Sequence, residues 1–215
     1  MFVQVIRGSV QRAVGLRAQW ERWHRELEPS ADGYLGATGG IADDGTFVAM
    51  VRFESETVAR RCADREAQGD WWRDVLGHLD DVVVHDCRRT DIWNRGGSDE
   101  AGFVQIRQGW SSDPERLRDL YVNQQPVRMG PFRPEVLGGL FAWHGRNGFT
   151  LSAYFSSEEE ARSGESLHEF ASFFEDIDAV MHDLTYIDLR DPWLSTPSPV
   201  TVATGRRGPG PRAAT

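Results

Sequence analysis

The feature that most narrows what this chain can fold into is an internal repeat, because a module that recurs in tandem can bury its exposed face against its own copy. Phe2-Val3-Gln4-Val5 returns as Phe103-Val104-Gln105-Ile106, an offset of 101. Phe53-Glu54-Ser55-Glu56 with Ala59-Arg60 returns as Phe155-Ser156-Ser157-Glu158 with Ala161-Arg162, an offset of 102. Asp81, Asp86 and Arg88 return at that same offset as Asp183, Asp188 and Arg190. In between, the spacing drifts to 105 at Pro29/Pro134 and Gly33/Gly138, which puts the insertions in loops or helix ends. Two modules are expected, 1–93 and 102–194, joined by a polar, Gly-rich linker at 94–101 and followed by a Pro/Gly-rich tail at 195–215 that is expected to be disordered.

Each copy reads as β, α, β, β, α, β. In the first copy, Phe2 to Arg7 is a strand. Leu16, Trp20, Trp23 and Leu27 then form one apolar helical stripe. Two strands, Tyr34 to Ile41 and Thr46 to Glu54, are joined by Asp43-Asp44-Gly45, a strong hairpin signal. Ser55 caps a second helix that breaks at Gln68-Gly69-Asp70 and resumes through Trp72, Val75, Leu76 and Leu79, and Val82 to Arg88 closes the module. In the second copy Asp113-Pro114-Glu115 starts a helix, and Pro126, Pro131 and Pro134 make that crossover irregular. Asn147-Gly148 turns the hairpin, and Leu167, Phe170, Phe174, Ile177 and Met181 stripe the last helix.

Four strands and two crossover helices are the split βαβ arrangement of ferredoxin-like folds. Two helices cover one face of such a sheet, so the other face needs a partner, and the second copy supplies it. The expected fold class is α+β, with two tandem ferredoxin-like βαββαβ modules forming a pseudo-dimeric α+β barrel. The chain is then a monomer with internal pseudo-twofold symmetry, whose free edge strands offer a route to a further homodimer.

Composition excludes several kinds of function. A formal charge of −9 repels phosphate backbones and argues against nucleic acid. All 24 basic residues are Arg, and without a lysine there is no internal Schiff base. Cys62 and Cys87 are too few for a disulfide framework and lack metal spacing, so they read as reduced filler residues. The start of the chain lacks a signal-peptide pattern and no apolar run is long enough to span a membrane, which predicts a cytoplasmic protein.

The stretch Val51-Arg52-Phe53-Glu54-Ser55-Glu56, leading to Asp64-Arg65 and Gln68-Gly69-Asp70-Trp71-Trp72, together with the repeat order, resembles the dimeric α+β barrel superfamily that includes antibiotic biosynthesis monooxygenase domains. In particular it resembles uncharacterised tandem members from actinobacteria, over about residues 1 to 194. The resemblance implies a small-molecule cavity between sheet and helices and, in some members, oxidation of polycyclic phenols by O₂ without metal or flavin. Such oxygenases use an Asn, a Trp and sometimes a Tyr or Arg. Trp71 or Trp72 could match the Trp, and Arg52 or Tyr154 the polar residues, while the Asn has no match. Haem-degrading relatives add a helix His, for which His78 is the one candidate, again without the Asn.

Strand alternation assigns faces. With Phe47, Ala49, Val51 and Phe53 toward the helices, Val48, Met50 and Arg52 point between the sheets, as do Thr150, Ser152 and Tyr154 of the second copy. Val3 and Val5 are expected to face the helices, and Gln4 and Gln105 the interior, where the two amides could simply pair with each other. Arg52 could equally form an ion pair with Asp86 or Glu54. Trp20 and Trp23 read as packing residues. Adjacent Trp71 and Trp72 cannot both face a core, so one is exposed or lines a pocket. Trp143-His144 reads as inward beside its hairpin, and His85 is a candidate base if inward, with a satisfied core histidine as the plainer reading. No metal motif is present.

The resulting expectation is a small aromatic or polyketide-like ligand held between the sheets. Arg52 and Tyr154 orient it with Gln4, Gln105 and Ser152, while Trp71, Trp72 and Trp143 stack on it. His85 or His144 takes a proton, and no cofactor takes part. The alternative is a non-catalytic module with a packed barrel and a protein partner. An enzyme would need a cavity of about 300 Å³ or more with converging polar groups.

Overall fold

The computed structural model describes residues 1–165 and 170–196, so most of the expected tail and Leu167 of the last-helix stripe lie outside the described residues. The first module runs β1 (Phe2–Val10), α1 (Ala13–Glu26), a 3₁₀ turn (Glu28–Ser30), β2 (Tyr34–Ile41), β3 (Thr46–Phe53), α2 (Glu56–Ala63), α3 (Glu66–Leu76) and β4 (Leu79–Cys87). After β5 (Arg89–Asn94) the second module runs β6 (Phe103–Ser111), α4 (Pro114–Asp119), a π-helical turn (Leu120–Gln124), α5 (Gln125–Arg128), β7 (Val136–His144), β8 (Gly148–Phe155), α6 (Glu158–Glu165), α7 (Ala171–Asp178), β9 (Met181–Leu189) and β10 (Trp193–Ser195).

Local chemistry sets these boundaries. Ser55 caps α2 by accepting from the Val58 N–H, and Asp113 caps α4 from Arg116 with Pro114 in the first turn. The break between α2 and α3 falls at Asp64-Arg65 rather than at Gln68-Gly69-Asp70. Gly69 is tolerated inside α3 because α3 is anchored on both sides of it: Trp23 Nε1 donates to Gln68 Oε1 at 2.8 Å and Trp71 Nε1 to the Gln19 carbonyl at 2.8 Å. Met181 opens β9 instead of ending the last helix.

The two sheets have the orders β10-β2-β3-β1-β4 and β5-β7-β8-β6-β9. Their registers correspond pair by pair: Phe2 faces Phe53 as Phe103 faces Phe155, and Gln4 faces Asp86 as Gln105 faces Asp188. β4 and β9 each carry a bulge, where two residues oppose one on β1 (Gly8) or β6 (Gly109), and the first of the two is an Asp with positive φ in each copy, Asp81 and Asp183, both at 52°. The spacing of 102 therefore survives at these aspartates for a backbone reason. The glycine match is corrected: Gly36 (φ 117°), not Gly33, is the partner of Gly138 (φ 154°), each at the register shift of its strand.

The modules exchange their ends. β5, at the end of the first module, pairs with β7 of the second, and β10 pairs with β2 of the first. Ser195, expected in the tail, thus belongs to a sheet. The close approach requires the two glycines, since a Cβ on Gly36 would lie 2.4 Å from the Ser195 carbonyl oxygen and one on Gly138 2.4 Å from that of Gly96.

Between the sheets lies an apolar core of Val3, Val5, Val48, Met50, Val104, Ile106, Leu140, Tyr154 and Leu189. Val3 and Val5 therefore face the other sheet and Gln4 and Gln105 the helices, the reverse of expectation. Directly opposed residues in an antiparallel ladder share a face, and Gln4 opposes Val51 on the helix side. Alternation could not decide the sign because both faces of each sheet are buried.

Candidate functional site

The interior between the sheets is occupied by a packed apolar cluster that includes Val3, Met50, Val104 and Tyr154. Its polar groups close on one another. Thr38 Oγ1 and Tyr154 Oη share a 2.6 Å hydrogen bond, and Arg52 donates to Thr38 at 3.4 Å, to Tyr154 at 3.5 Å and to the Ser195 carbonyl at 3.3 Å. Arg52 and Tyr154 meet between the sheets, as a clasp between modules rather than as ligand contacts. Arg52 pairs with neither Asp86 nor Glu54. Ser152 is fully buried and bonds the Leu140 carbonyl at 3.5 Å.

Nor do Gln4 and Gln105 pair with each other. Each donates to the aspartate across its own ladder, Asp86 at 3.0 Å and Asp188 at 3.2 Å. Trp143 turns to the helix side, stacked on Phe141 at 5.2 Å with Nε1 donating to Asp91 at 2.8 Å. His85 and His144 come together from opposite modules as a parallel stack, 4.1 Å apart and 4° from coplanar. His144 also contacts Thr150 Oγ1 at 3.3 Å, and burial, with His85 beside it, pushes it below the ordinary histidine range.

The space that does exist lies in the first module, between its sheet and α1, α2 and α3: a cavity of about 250 Å³. Its floor is Gln4, Ile6, Ala37, Val51 and Phe53, and its walls include Trp20, Trp23, Trp71, Trp72, Ala59 and Cys62. The rings meet edge to face, Trp23 with Tyr34 at 4.7 Å and Tyr34 with Phe53 at 6.0 Å, while Trp71 lies 5.9 Å from Trp72. Trp71 and Trp72 both reach this wall, because the wall is wide enough to take neighbouring residues of α3. Trp20 and Trp23, read from sequence as packing residues, pack and line the cavity at once.

Polar groups enter at three places. Gln4, its amide nitrogen held by Asp86, keeps an oxygen with no partner among the described residues. Gln68 accepts from Trp23. At the outer corner Tyr34 Oη meets Ser195 Oγ at 3.1 Å, and His24 Nδ1 lies 2.5 Å from Glu28 and 3.3 Å from Ser195. Burial holds the Tyr34 hydroxyl well above the usual tyrosine range, so it remains a protonated donor. The same cause raises the Cys62 thiol and pushes Cys87 up to about 12, which keeps both as thiols. An open cleft lined by Arg17, Glu21, Arg25, Asp99 and Trp193 adjoins the corner and shares Trp20 and His24 with the cavity.

The equivalent space in the second module is filled. At the registers of Ala37 and Ser195 in the first module stand Gly139 and Trp93, and the indole lies so close that a Cβ on Gly139 would be 2.2 Å from it. The π-helical turn presses Tyr121 in beside it, the rings 5.8 Å apart, and Arg107, standing where the first module has Ile6, donates to Tyr121 Oη at 3.1 Å.

Haem does not fit the residues present. His78, the one candidate ligand, is wedged against α1, its ring 2.4 Å from where a Cβ on Gly15 would lie, and its buried Nδ1 has no partner among the described residues. Among the described residues no three His, Cys, Asp or Glu side chains cluster as a metal site, and no helix is long and apolar enough to cross a membrane.

No family model matches the sequence, and neither does any curated protein. Solved structures do resemble the fold. A candidate monooxygenase from Lactobacillus acidophilus superposes with a TM-score of 0.70 at 13% identity, covering 91% of this chain and 95% of that one. One from Fusobacterium nucleatum superposes at 0.72 with 10% identity, over 91% and 94%. An anthrone oxidase-like protein follows at 0.63 and 7%, over 90% and 92%. At these identities the likeness is one of architecture: the chain has the two-module, ferredoxin-like α+β fold of monooxygenase-type proteins.

Proposed function

We propose that this protein binds a planar aromatic small molecule in the first module's cavity, between sheet and helices. The observation that carries this reading is the asymmetry of the two modules: the same register that holds Trp93 as a plug in one holds Ser195 in the other, and the space left open is walled by indoles with a few polar groups at its edge. Its 250 Å³ falls just short of the roughly 300 Å³ expected of an enzyme site, which favours a compact ligand of two or three fused rings.

The activity we infer is oxygenation without a bound cofactor, supported by the resemblance to monooxygenase-type folds. A substrate with an activated CH₂ can supply all four electrons itself. One oxygen atom of O₂ enters as C=O, and the other leaves as water with the two hydrogens. A packed, non-catalytic barrel remains the better account of the space between the sheets, where the Thr38–Tyr154–Arg52 clasp has no room for a ligand.

Titration with 2-naphthol, followed by quenching of the indoles that line the cavity, tests the binding reading. Saturable quenching is expected, and Ala59→Phe, which fills the cavity from α2, should weaken it at least tenfold. Equal quenching in wild type and the filled variant would place the ligand elsewhere and end this reading. Oxygen uptake with anthrone then separates an enzyme from a binding protein.

A further inference from the structure

The corner where cavity and outer cleft meet holds groups that binding alone does not require. His24 lies on the last turn of α1 and lines both spaces. Glu28, in the 3₁₀ turn that follows, reaches its Nδ1 at 2.5 Å, and the two side chains are only 21% and 20% exposed. The rings of Trp20 and Trp23 each meet the imidazole edge-on at 5.1 Å. A carboxylate on Nδ1 selects the tautomer with the proton there, so that Nε2 keeps its lone pair. Nε2 makes no hydrogen bond among the described residues.

Ser195 and Glu28 both touch Nδ1, so Ser195 is not a nucleophile served by His24, a relay that needs one ring nitrogen for each partner. What the three groups make instead is a base, backed by a carboxylate, at the mouth of an aromatic cavity. Its remaining neighbours are Tyr34 from β2 and the charged groups of the outer cleft: Arg17, Glu21 and Arg25 on α1, Asp99 on the connection before β6, and Arg190 and Asp191 before β10. Those charges are mixed in sign.

We propose that His24, held by Glu28, is the general base of this cavity, and that the ligand is a planar aromatic carrying an acidic hydroxyl. In the step the ligand O–H bond breaks, the proton passes to His24 Nε2 and the electron pair stays on oxygen. The products are a phenolate and an imidazolium whose other N–H donates to Glu28. Nothing is oxidised or reduced. The proposal rests on the binding reading above and adds to it the proton acceptor and the ionisable group on the ligand.

The test uses 4-nitrophenol and its methyl ether 4-nitroanisole, which has the same ring and no proton to lose. Calorimetry reads binding, and the yellow phenolate band reads ionisation, at a pH where free nitrophenol is mostly neutral. Wild type should bind both probes and raise the phenolate fraction of bound nitrophenol severalfold. His24→Gln, which can still bond Glu28, should still bind nitroanisole and should lose the phenolate gain. Glu28→Gln should retain part of it. If both probes bind and no phenolate forms, or if it forms equally in His24→Gln, the base is not His24, and the cavity reading stands. If neither probe binds, the cavity reading fails and the base falls with it.

Discussion

The two modules share strand order, register, bulges and even surface ion pairs, yet one holds an aromatic-lined cavity and the other a solid core. Arg88 binds Glu56 in the first as Arg190 binds Glu158 in the second, so the frame is common to both. The difference lies in what crosses the sheet. The second module receives Trp93 from the first, over Gly139, whereas the first receives Ser195 from the second, over Ala37. A functional difference between halves can therefore be made by the strand each half lends to the other.

The largest expected effect comes from removing the plug. Trp93→Ser should destabilise the protein by about 3–5 kcal/mol, as loss of a buried Trp does, read as a shifted urea midpoint. If the core does not collapse, a second 2-naphthol site should also appear. A midpoint within error of wild type would mean that the second core does not depend on this indole. The converse change, Ser195→Trp, should weaken 2-naphthol binding at least tenfold, about 1.4 kcal/mol, with the fold retained in near-ultraviolet circular dichroism. Unaltered binding would show that position 195 does not set the asymmetry.

The seam between modules offers smaller effects. Tyr154→Phe removes the 2.6 Å bond to Thr38 and leaves that buried hydroxyl short of a partner, a loss of about 1–3 kcal/mol in chemical denaturation. The His85–His144 stack gives the seam a pH dependence. Because the folded state holds His144 below its unfolded value, its contribution is complete above about pH 6.5 and is lost as pH falls below that, where unfolded chains take up the proton more readily. His144→Gln should flatten this acid limb of the stability profile, and an unchanged limb would assign it to other groups. Smallest of all, Arg88→Ala should move the urea midpoint little, since its ion pair with Glu56 is at the surface and screened by solvent. Matching small losses for Arg88→Ala and Arg190→Ala would confirm that the frame is equivalent in both halves.

Much of the frame was legible in the sequence, and the reasons are local. Asp-Gly and Asn-Gly marked the hairpins, Ser55 and Asp113 marked helix starts, and the spacing of 102 located equivalent strands. The site was harder to read. Alternation fixes which residues share a face but not which face is which when both are buried, so Gln4 and Gln105 were assigned to the wrong side. Trp20 and Trp23 looked like members of an ordinary amphipathic stripe and His24 was passed over, although its i, i+4 relation to Glu28 was a signal that could have found it. The residues that decide the asymmetry stood at the expected module boundaries, Trp93 at the linker and Ser195 at the tail. Continuing the offset of 102 past Arg190 would have paired them, but which sheet a three-residue strand such as β10 joins is settled by long-range packing that its own sequence does not encode.

The exchange of β5 and β10 also sets an order of events during synthesis. The first module's helices and four of its strands are made early, but the edge beside β2 stays open, and the corner at His24 incomplete, until residues 193–195 have been translated. The protein's candidate chemistry therefore becomes complete only after both modules have been synthesised. In the interval an unpaired β2 edge is exposed to any other strand within reach, including the β10 of a neighbouring nascent chain.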